Sequence, residues 1–321
     1  CLNSILDWED QVLLVPEIHR LCHEGNLEEV KRHMKCITDV NKRILDGPKL
    51  IQTRSTFPKE FIGFFLGSTP LMFASQAGHE KIVKYLLSHG ASVNLSDTLG
   101  ITSFTWACLS NHVSVCKILL AAGADINTKE SSFGMTPFLL AARSNHMNVV
   151  KWLSRHGANI HAKSIQDQTA LHFAAINKNK KLIKFLTAKG LDINEQDSNG
   201  DTPLHLLVSH YEVDPENADD TWSIKEKQQL KNIFQLMKTN ENFIIDIHRE
   251  TNICDSSNTS LTDGWYAMKT LLDVGAKLDM KNNYGRTPLH SLVLNLPSAA
   301  SSQGYVFTNK PVENKWRTVI F

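Results

Sequence analysis

The chain has 321 residues, 42% hydrophobic and 21% charged, and its 34 basic side chains against 33 acidic ones leave a net charge of +1. This is ample material for a core and excludes disorder of the whole chain. The charge balance supplies no overall drive toward a polyanion, so nucleic acid is not an expected partner. Cys1, Cys22, Cys36, Cys108, Cys116 and Cys254 lack the dense spacing of a disulfide framework and read as reduced thiols of a cytosolic protein. The most apolar run, Phe61 to Leu66, falls far short of the roughly 20 residues a membrane-spanning helix needs, so no transmembrane segment is expected. Cys1 in place of an initiating Met and the abrupt end at Phe321 suggest a fragment.

In chain order, Ile18 to Val30 is the first helical stretch. It aligns with Leu71 to Val83, matching Gly25 to Gly78, but is more charged and lacks a Thr-Pro start. A long connection, about Asn41 to Ser68, follows and carries Phe57-Pro58 and the aromatic run. From Thr69 one motif recurs: Thr69-Pro70-Leu71, Thr102-Ser103-Phe104, Thr136-Pro137-Phe138, Thr169-Ala170-Leu171-His172, Thr202-Pro203-Leu204-His205 and Thr287-Pro288-Leu289-His290. The threonines are spaced by 33, 34, 33, 33 and then 85 residues. A second motif keeps phase with the first: Leu86-Leu87 ahead of Gly90, Leu119-Leu120 ahead of Gly123, Leu153 ahead of Gly157, Leu186 ahead of Gly190 and Leu271-Leu272 ahead of Gly275.

Each piece has a mechanical reason. Threonine caps the first helix and proline fits its first position, where an N–H would be unpaired anyway. A turn at Gly78-His79, Asn111-His112 or Asn145-His146 folds the second helix back, and the later glycine ends it in a left-handed conformation. Leu71, Ala74, Ile82, Val83, Leu86 and Leu87 form an apolar stripe that recurs as Phe104, Ala107, Val115, Cys116, Leu119 and Leu120. One unit cannot bury such a stripe; stacked neighbours can. The period and its two motifs resemble the ankyrin repeat. The resemblance implies an all-α solenoid of helix-turn-helix units joined by hairpin loops. The expected division is a degenerate capping repeat with a long loop over 1–68, four regular repeats over 69–201, a repeat carrying a large insertion (about 211–265) over 202–286, and a partial repeat and tail over 287–321. Within the insertion, Ser223 to Glu226 reads as a capping box ahead of an amphipathic helix, and 252–264 as a polar loop.

Catalytic signatures are missing: the chain has no phosphate-binding glycine loop, Gly-x-Ser-x-Gly elbow or His-Glu-x-x-His. His19, Cys22, His23, His33 and Cys36 are dense enough to raise zinc, but the repeat alignment puts them on separate helix faces, so no metal is expected. His248, Cys254 and Asp255 sit together in the insertion, yet a polar loop offers little to hold a nucleophile and base, so no catalytic residue is assigned. No cofactor is expected. The resemblance implies that His172, His205 and His290 tie neighbouring hairpin loops by hydrogen bonds.

The resemblance also implies a concave groove lined by loop residues around the glycine and by the ends of the first helices. Carried onto this chain, the partner-binding positions are Leu99, Ile101, Leu109, Phe133, Met135, Arg143, Ile165, Gln166, Ile176, Asn199 and His210. Seven are apolar at positions expected to be exposed, with Phe133 and Met135 as the expected anchors. Asp167 stands where the other loops have glycine, a departure that bears on that hairpin's geometry. Lys178, Lys180, Lys181 and Lys184 form a basic run suited to an anionic partner. The expected function is therefore a cytoplasmic, non-enzymatic scaffold or adaptor for a partner protein. A composition rich in Asn, Lys and Ile resembles ankyrin effectors of intracellular bacteria, which implies secretion into the host cell cytoplasm. The rival reading is the substrate-recruiting part of an enzyme, its catalytic segment in the insertion or outside the fragment.

Overall fold

A computed structural model describes residues 17–35, 39–43, 67–209, 267–288, 290–291, 311–312 and 315–316. They divide into two compact units, residues up to 173 and residues from 174 onward. The inserted helix expected after Ser223, the polar loop over 252–264, most of the 41–68 connection and the trio His248, Cys254 and Asp255 lie outside the described residues.

The first unit is built from helix pairs: α1 (Glu17–Glu24) with α2 (Leu27–Met34), α3 (Pro70–Ala77) with α4 (Glu80–Ser88), α5 (Ser103–Leu109) with α6 (Val113–Ala121), and α7 (Pro137–Arg143) with α8 (Met147–Leu153). α9 (Ala170–Ile176) contains the division between the units. First helices pack in series, α1 on α3, α3 on α5 and α5 on α7; second helices follow suit, α2 on α4, α4 on α6 and α6 on α8. Helices of seven to nine residues are too short to persist alone in water, so this stacking is what keeps them helical.

The predicted caps form. Thr69, Thr102 and Thr136 accept hydrogen bonds from the amides of Met72, Thr105 and Leu139, with Pro70 and Pro137 at the first helical positions. At the turn between paired helices Gly78 has φ +81°, and Asn111 and Asn145 reproduce the left-handed conformation at φ +61°. Asparagine enters this region at less cost than most residues. The next residue of the turn reaches the preceding repeat: His79 Nε2 donates to the His23 carbonyl at 2.8 Å, and His146 Nε2 to that of Leu109 at 2.8 Å. The His79 ring lies against Gly25 and the His112 ring against Gly78, so closely that a Cβ would stand 2.5 and 2.6 Å from ring atoms.

Beyond the second helices, asparagines join repeat to repeat. Asn94 donates to the Gly123 carbonyl and accepts from the Asp125 amide, both at 3.0 Å; Asn127 does the same with Gly157 and Asn159 at 3.4 and 2.8 Å. Leu71, Ala74, Ile82, Val83 and Leu86 are buried, as are Phe104, Ala107, Val115, Cys116 and Leu119. Leu87 and Leu120, expected in the same stripe, are only half-buried.

In the second unit α10 (Lys180–Ala188), α11 (Pro203–Ser209) and the helical residues 267–273 repeat the scheme. Asn194 donates to the Gly275 carbonyl at 3.2 Å and accepts from the Lys277 amide at 2.8 Å. The asparagine link therefore joins the repeat ending at Gly190 directly to the one ending at Gly275, whatever lies between in sequence. A short antiparallel pair, β1 (Pro311–Val312) with β2 (Lys315–Trp316), and an isolated antiparallel bridge between Ser96 and Thr102 are the strand pairings among the described residues.

The glycines separate two costs. Gly78→Ala meets both a left-handed backbone and the His112 ring, whereas Gly90→Ala, at φ +86° with nothing within 4 Å of its Cβ, meets the backbone cost alone. Each loses about 1–2 kcal/mol from backbone strain. Urea denaturation followed by circular dichroism is expected to give the lower midpoint for Gly78→Ala.

Candidate functional site

At the head of each hairpin loop one side chain gathers the backbone amides that the turn would otherwise leave unpaired. Asp97 Oδ1 accepts from Leu99 and Ile101 at 3.0 and 2.9 Å, and Oδ2 accepts from the Trp106 indole at 3.1 Å. Ser164 Oγ accepts from Gln166 and Gln168, both at 3.2 Å. Glu130 accepts from Ser132, Phe133 and Met135 at 2.6, 2.6 and 3.0 Å. The loop headed by Glu130 belongs to the repeat with the 34-residue step, and the longer carboxylate spans its extra residue. Burial pushes the Asp97 carboxyl above its ordinary value; the Ile101 amide, the indole and the Leu99 amide oppose that rise.

The loops are then joined by main-chain bonds. The Ser131 amide donates to the Leu99 carbonyl at 2.8 Å, and the Ile165 amide to that of Phe133 at 2.8 Å. Glycine permits the approach, since a Cβ on Gly100 would stand 2.5 Å from Ser131 Oγ. Asp167 adopts φ +56°, and its amide donates to the Ser164 carbonyl at 3.0 Å as Gly100 does to Asp97 at 3.0 Å. The hairpin geometry thus survives the missing glycine.

This lattice decides which groove candidates face outward. Phe133 is 44% exposed and Ile165 67% exposed, and they sit on neighbouring loops with the Ile165 side chain against Gly134. The Arg143 guanidinium, from the end of α7, lies 5.8 Å from the Phe133 ring centroid, a cation–π distance. Gln166 is exposed, and Leu99 and Leu109 are half-buried. Ile101 and Met135 depart from expectation, being 8% and 4% exposed. Both close their hairpins: the Asp97 amide donates to the Ile101 carbonyl and the Glu130 amide to that of Met135, each at 3.0 Å, so these side chains turn inward. Met135 therefore supports the face from beneath and cannot anchor a partner from outside. Trp106, which the sequence reading passed over, is half-buried beside Asp97. Its only signal was a place in its helix equivalent to Phe73, Leu140 and Phe173, all buried.

In the second unit Ile176 is half-buried and Asn199 exposed; His210 lies outside the described residues. Lys180, Lys181 and Lys184 are exposed on α10, while Lys178, half-buried at φ +54°, takes the turn position held elsewhere by glycine or asparagine. Lys180 and Lys181 stand in the first turn of α10, where the helix dipole disfavours cations.

The motif histidine does link loops here. The Thr202 amide donates to His205 Nδ1 at 3.1 Å, and His205 Nε2 donates to the Arg286 carbonyl at 3.0 Å. That assignment requires a neutral ring, and burial lowers the His205 pKa. His33 Nε2 pairs with Glu17 at 3.0 Å while Cys22 is fully buried, and no group of metal ligands occurs among the described residues. The described cysteines carry no disulfide. Burial pushes the Cys22 thiol up to about 12 and raises Cys108 well above its usual range, which keeps both protonated.

A family model described as "Ankyrin repeats (3 copies)" matches residues 18–130, 96–164 and 138–214. A putative ankyrin repeat protein, L271 of Acanthamoeba polyphaga mimivirus, is 31% identical over 137 residues, which is 40% of this chain and 17% of that protein. The chain thus spans a small part of that relative's length. The crystal structure of the human ASB11 ankyrin repeat domain superposes with a TM-score of 0.56 at 19% identity, covering 87% of this chain and 97% of that one, a likeness of fold. Among the described residues no helix is long and apolar enough to cross a membrane.

Glu130→Asp brings the carboxylate too short for the six-residue loop and leaves buried amides without an acceptor, at about 1–3 kcal/mol; a lower melting temperature, with Asp97→Glu as the reciprocal control, checks it. The depressed His205 pKa has a definite sign. Its contribution to stability is complete above the ordinary histidine value of 6.5 and is lost as pH falls toward the lowered value, because protonation removes the acceptor for Thr202. The melting temperature is expected to fall between pH 8 and pH 5.5, and less steeply for His205→Gln.

Proposed function

We propose that this chain, which belongs to the ankyrin-repeat family, is an adaptor that holds a partner protein on its hairpin-loop face, with Phe133 and Ile165 as anchors. Ankyrin repeats are generally protein–protein interaction modules. The observation that carries the reading is the placement of two large exposed apolar side chains on adjacent loops. The other exposed large hydrophobics among the described residues are Val274 and Tyr284, in the second unit. Neither Phe133 nor Ile165 is needed to close its hairpin, since the Glu130 and Ser164 side chains and the interloop main-chain bonds do that. Burying both under a partner removes apolar surface from water at roughly 25 cal/mol per Å². Aromatic anchors ringed by polar side chains are where binding energy concentrates. Arg143 and Gln166 supply that rim, Leu99 and Leu109 extend the apolar area, and Met135 and Ile101 pack from behind. A binding role also suits Cys22 and Cys108, whose buried, protonated thiols are poor nucleophiles.

The test is affinity capture from eukaryotic cytosol with the unmodified chain and with a Phe133→Asp, Ile165→Asp variant shown by circular dichroism to stay folded. A protein retained by the first and lost from the second is the expected result. Identical captures would count against this face.

A further inference from the structure

Counted by the repeat, one position of the second helix is lysine in six successive units: Lys31, Lys84, Lys117, Lys151, Lys184 and Lys269. In the first unit α2, α4, α6 and α8 pack in series, so the position forms a row whose members stand about 8–10 Å apart, as packed helices do. The first member behaves as a lysine on a balanced, solvated face should. Lys31 pairs with Glu28 at 2.8 Å, and Arg20 and Arg32 of the same repeat pair with Glu24 and Glu29. Past that repeat the acids stop. The place of Glu28 is taken by Lys81, Ser114 and Asn148, and α6 and α8 contain no acidic residue. Lys84, Lys117 and Lys151 are exposed, and among the described residues none of them pairs with a carboxylate. Along α4, α6 and α8 and the four residues after each, these three with Lys81 and Arg155 make five exposed cations against two exposed acids, Glu80 and Asp125.

We propose that the unpaired part of this row, Lys84, Lys117 and Lys151, docks the first unit on the anionic surface of a lipid bilayer. Charges about 8–10 Å apart have overlapping fields at physiological salt, where the Debye length is about 8 Å, so the three lysines act together. Lysine presents a compact, hydrated charge that needs no fixed partner geometry, which suits a plane of lipid head groups. The second helices offer little else. The exposed large hydrophobics among the described residues, Phe133, Ile165, Val274 and Tyr284, all lie outside α2, α4, α6 and α8. Tyr85 is half-buried with its ring on His89, and Trp152 is buried. A protein segment would want an apolar anchor here, and single-stranded nucleic acid an open aromatic ring to stack on. A bilayer uses the charge alone. Attachment is therefore at the head groups without insertion, and it leaves the hairpin loops to a partner protein.

The experiment sediments the full chain with vesicles of phosphatidylcholine, or of phosphatidylcholine and phosphatidylserine in equal parts, at low, physiological and high salt. Binding is expected to the mixed vesicles only, and is expected to fall as salt rises. One lysine at an anionic membrane surface is worth about a fivefold change in binding, so the Lys84→Gln, Lys117→Gln, Lys151→Gln variant should bind about a hundredfold more weakly. Lys31→Gln, whose charge Glu28 already offsets, should change binding little. All variants are first matched to the unmodified chain in melting temperature. A triple variant that binds unchanged, or equal binding to vesicles without phosphatidylserine, would overturn the proposal. An effect of Lys31→Gln as large as that of Lys117→Gln alone would reduce the row to net charge and overturn it too. So would retention on polyglutamate or single-stranded DNA with none on the vesicles, which would give the row to an acidic protein or to nucleic acid.

Discussion

The structure of the hairpin-loop face depends on one acceptor per loop. A tight turn leaves amides pointing into a space that the next repeat occupies, where water cannot satisfy them. Asp97, Glu130 and Ser164 in the first unit, and Asp197 and Asn282 in the second, each stand at the head of a loop and accept two or more of those amides. The chemistry is tolerant of side-chain type, since carboxylate, hydroxyl and amide all serve. It is less tolerant of reach, for the loop with an extra residue is the one headed by glutamate. Once the amides are gathered, the loop is rigid enough to pass a main-chain bond to its neighbour, and the side chains at its tip are left for other work.

Much of this was legible in the sequence because stacking repeats its demands at a fixed interval. The 33-residue period, the Thr-Pro starts, the closing glycines and the inward stripe all follow from placing identical joints between successive units, and they appear where expected apart from Leu87 and Leu120, which the stripe leaves half-buried. What the period could not reveal is which way a side chain turns at a position that varies between repeats. Ile101 and Met135 sit one residue past the loop glycine, and apolar character there looks the same whether it packs inward or faces out. The direction is set by the rung that closes the hairpin, a bond between residues four or five apart that composition does not announce. Trp106 was missed for the opposite reason. A large apolar residue at a core-like helical position reads as core, yet this indole is drawn to Asp97 and stays partly open.

Asp167 shows the same limit from another side. Glycine is the expected occupant of the left-handed loop position, yet the backbone there takes its usual path with an aspartate at φ +56°. Asn111, Asn145 and Lys178 do likewise at the helix-to-helix turns. A local strain of about 1–2 kcal/mol at such a residue is small beside the burial that a stacked repeat gains, so tertiary packing overrides the local preference. Glycine is demanded more strictly where a neighbour crowds in, as the His79 and His112 rings do over Gly25 and Gly78.

The repeat fold distributes charge unevenly between surface and interior. A net charge of +1 speaks against polyanions only if charges are spread evenly, and a repeat fold does not spread them evenly. The loop heads in this fold need acceptors, so carboxylates recruited there disappear from the surface. Lysine and arginine have no such post in the loops, because they carry donors only and the amides need acceptors. The central repeats therefore bury part of their acidic complement and display most of their basic one. The excess of exposed base over exposed acid in these repeats is a consequence of the scaffold, because the carboxylates that hold the loops are taken from the surface.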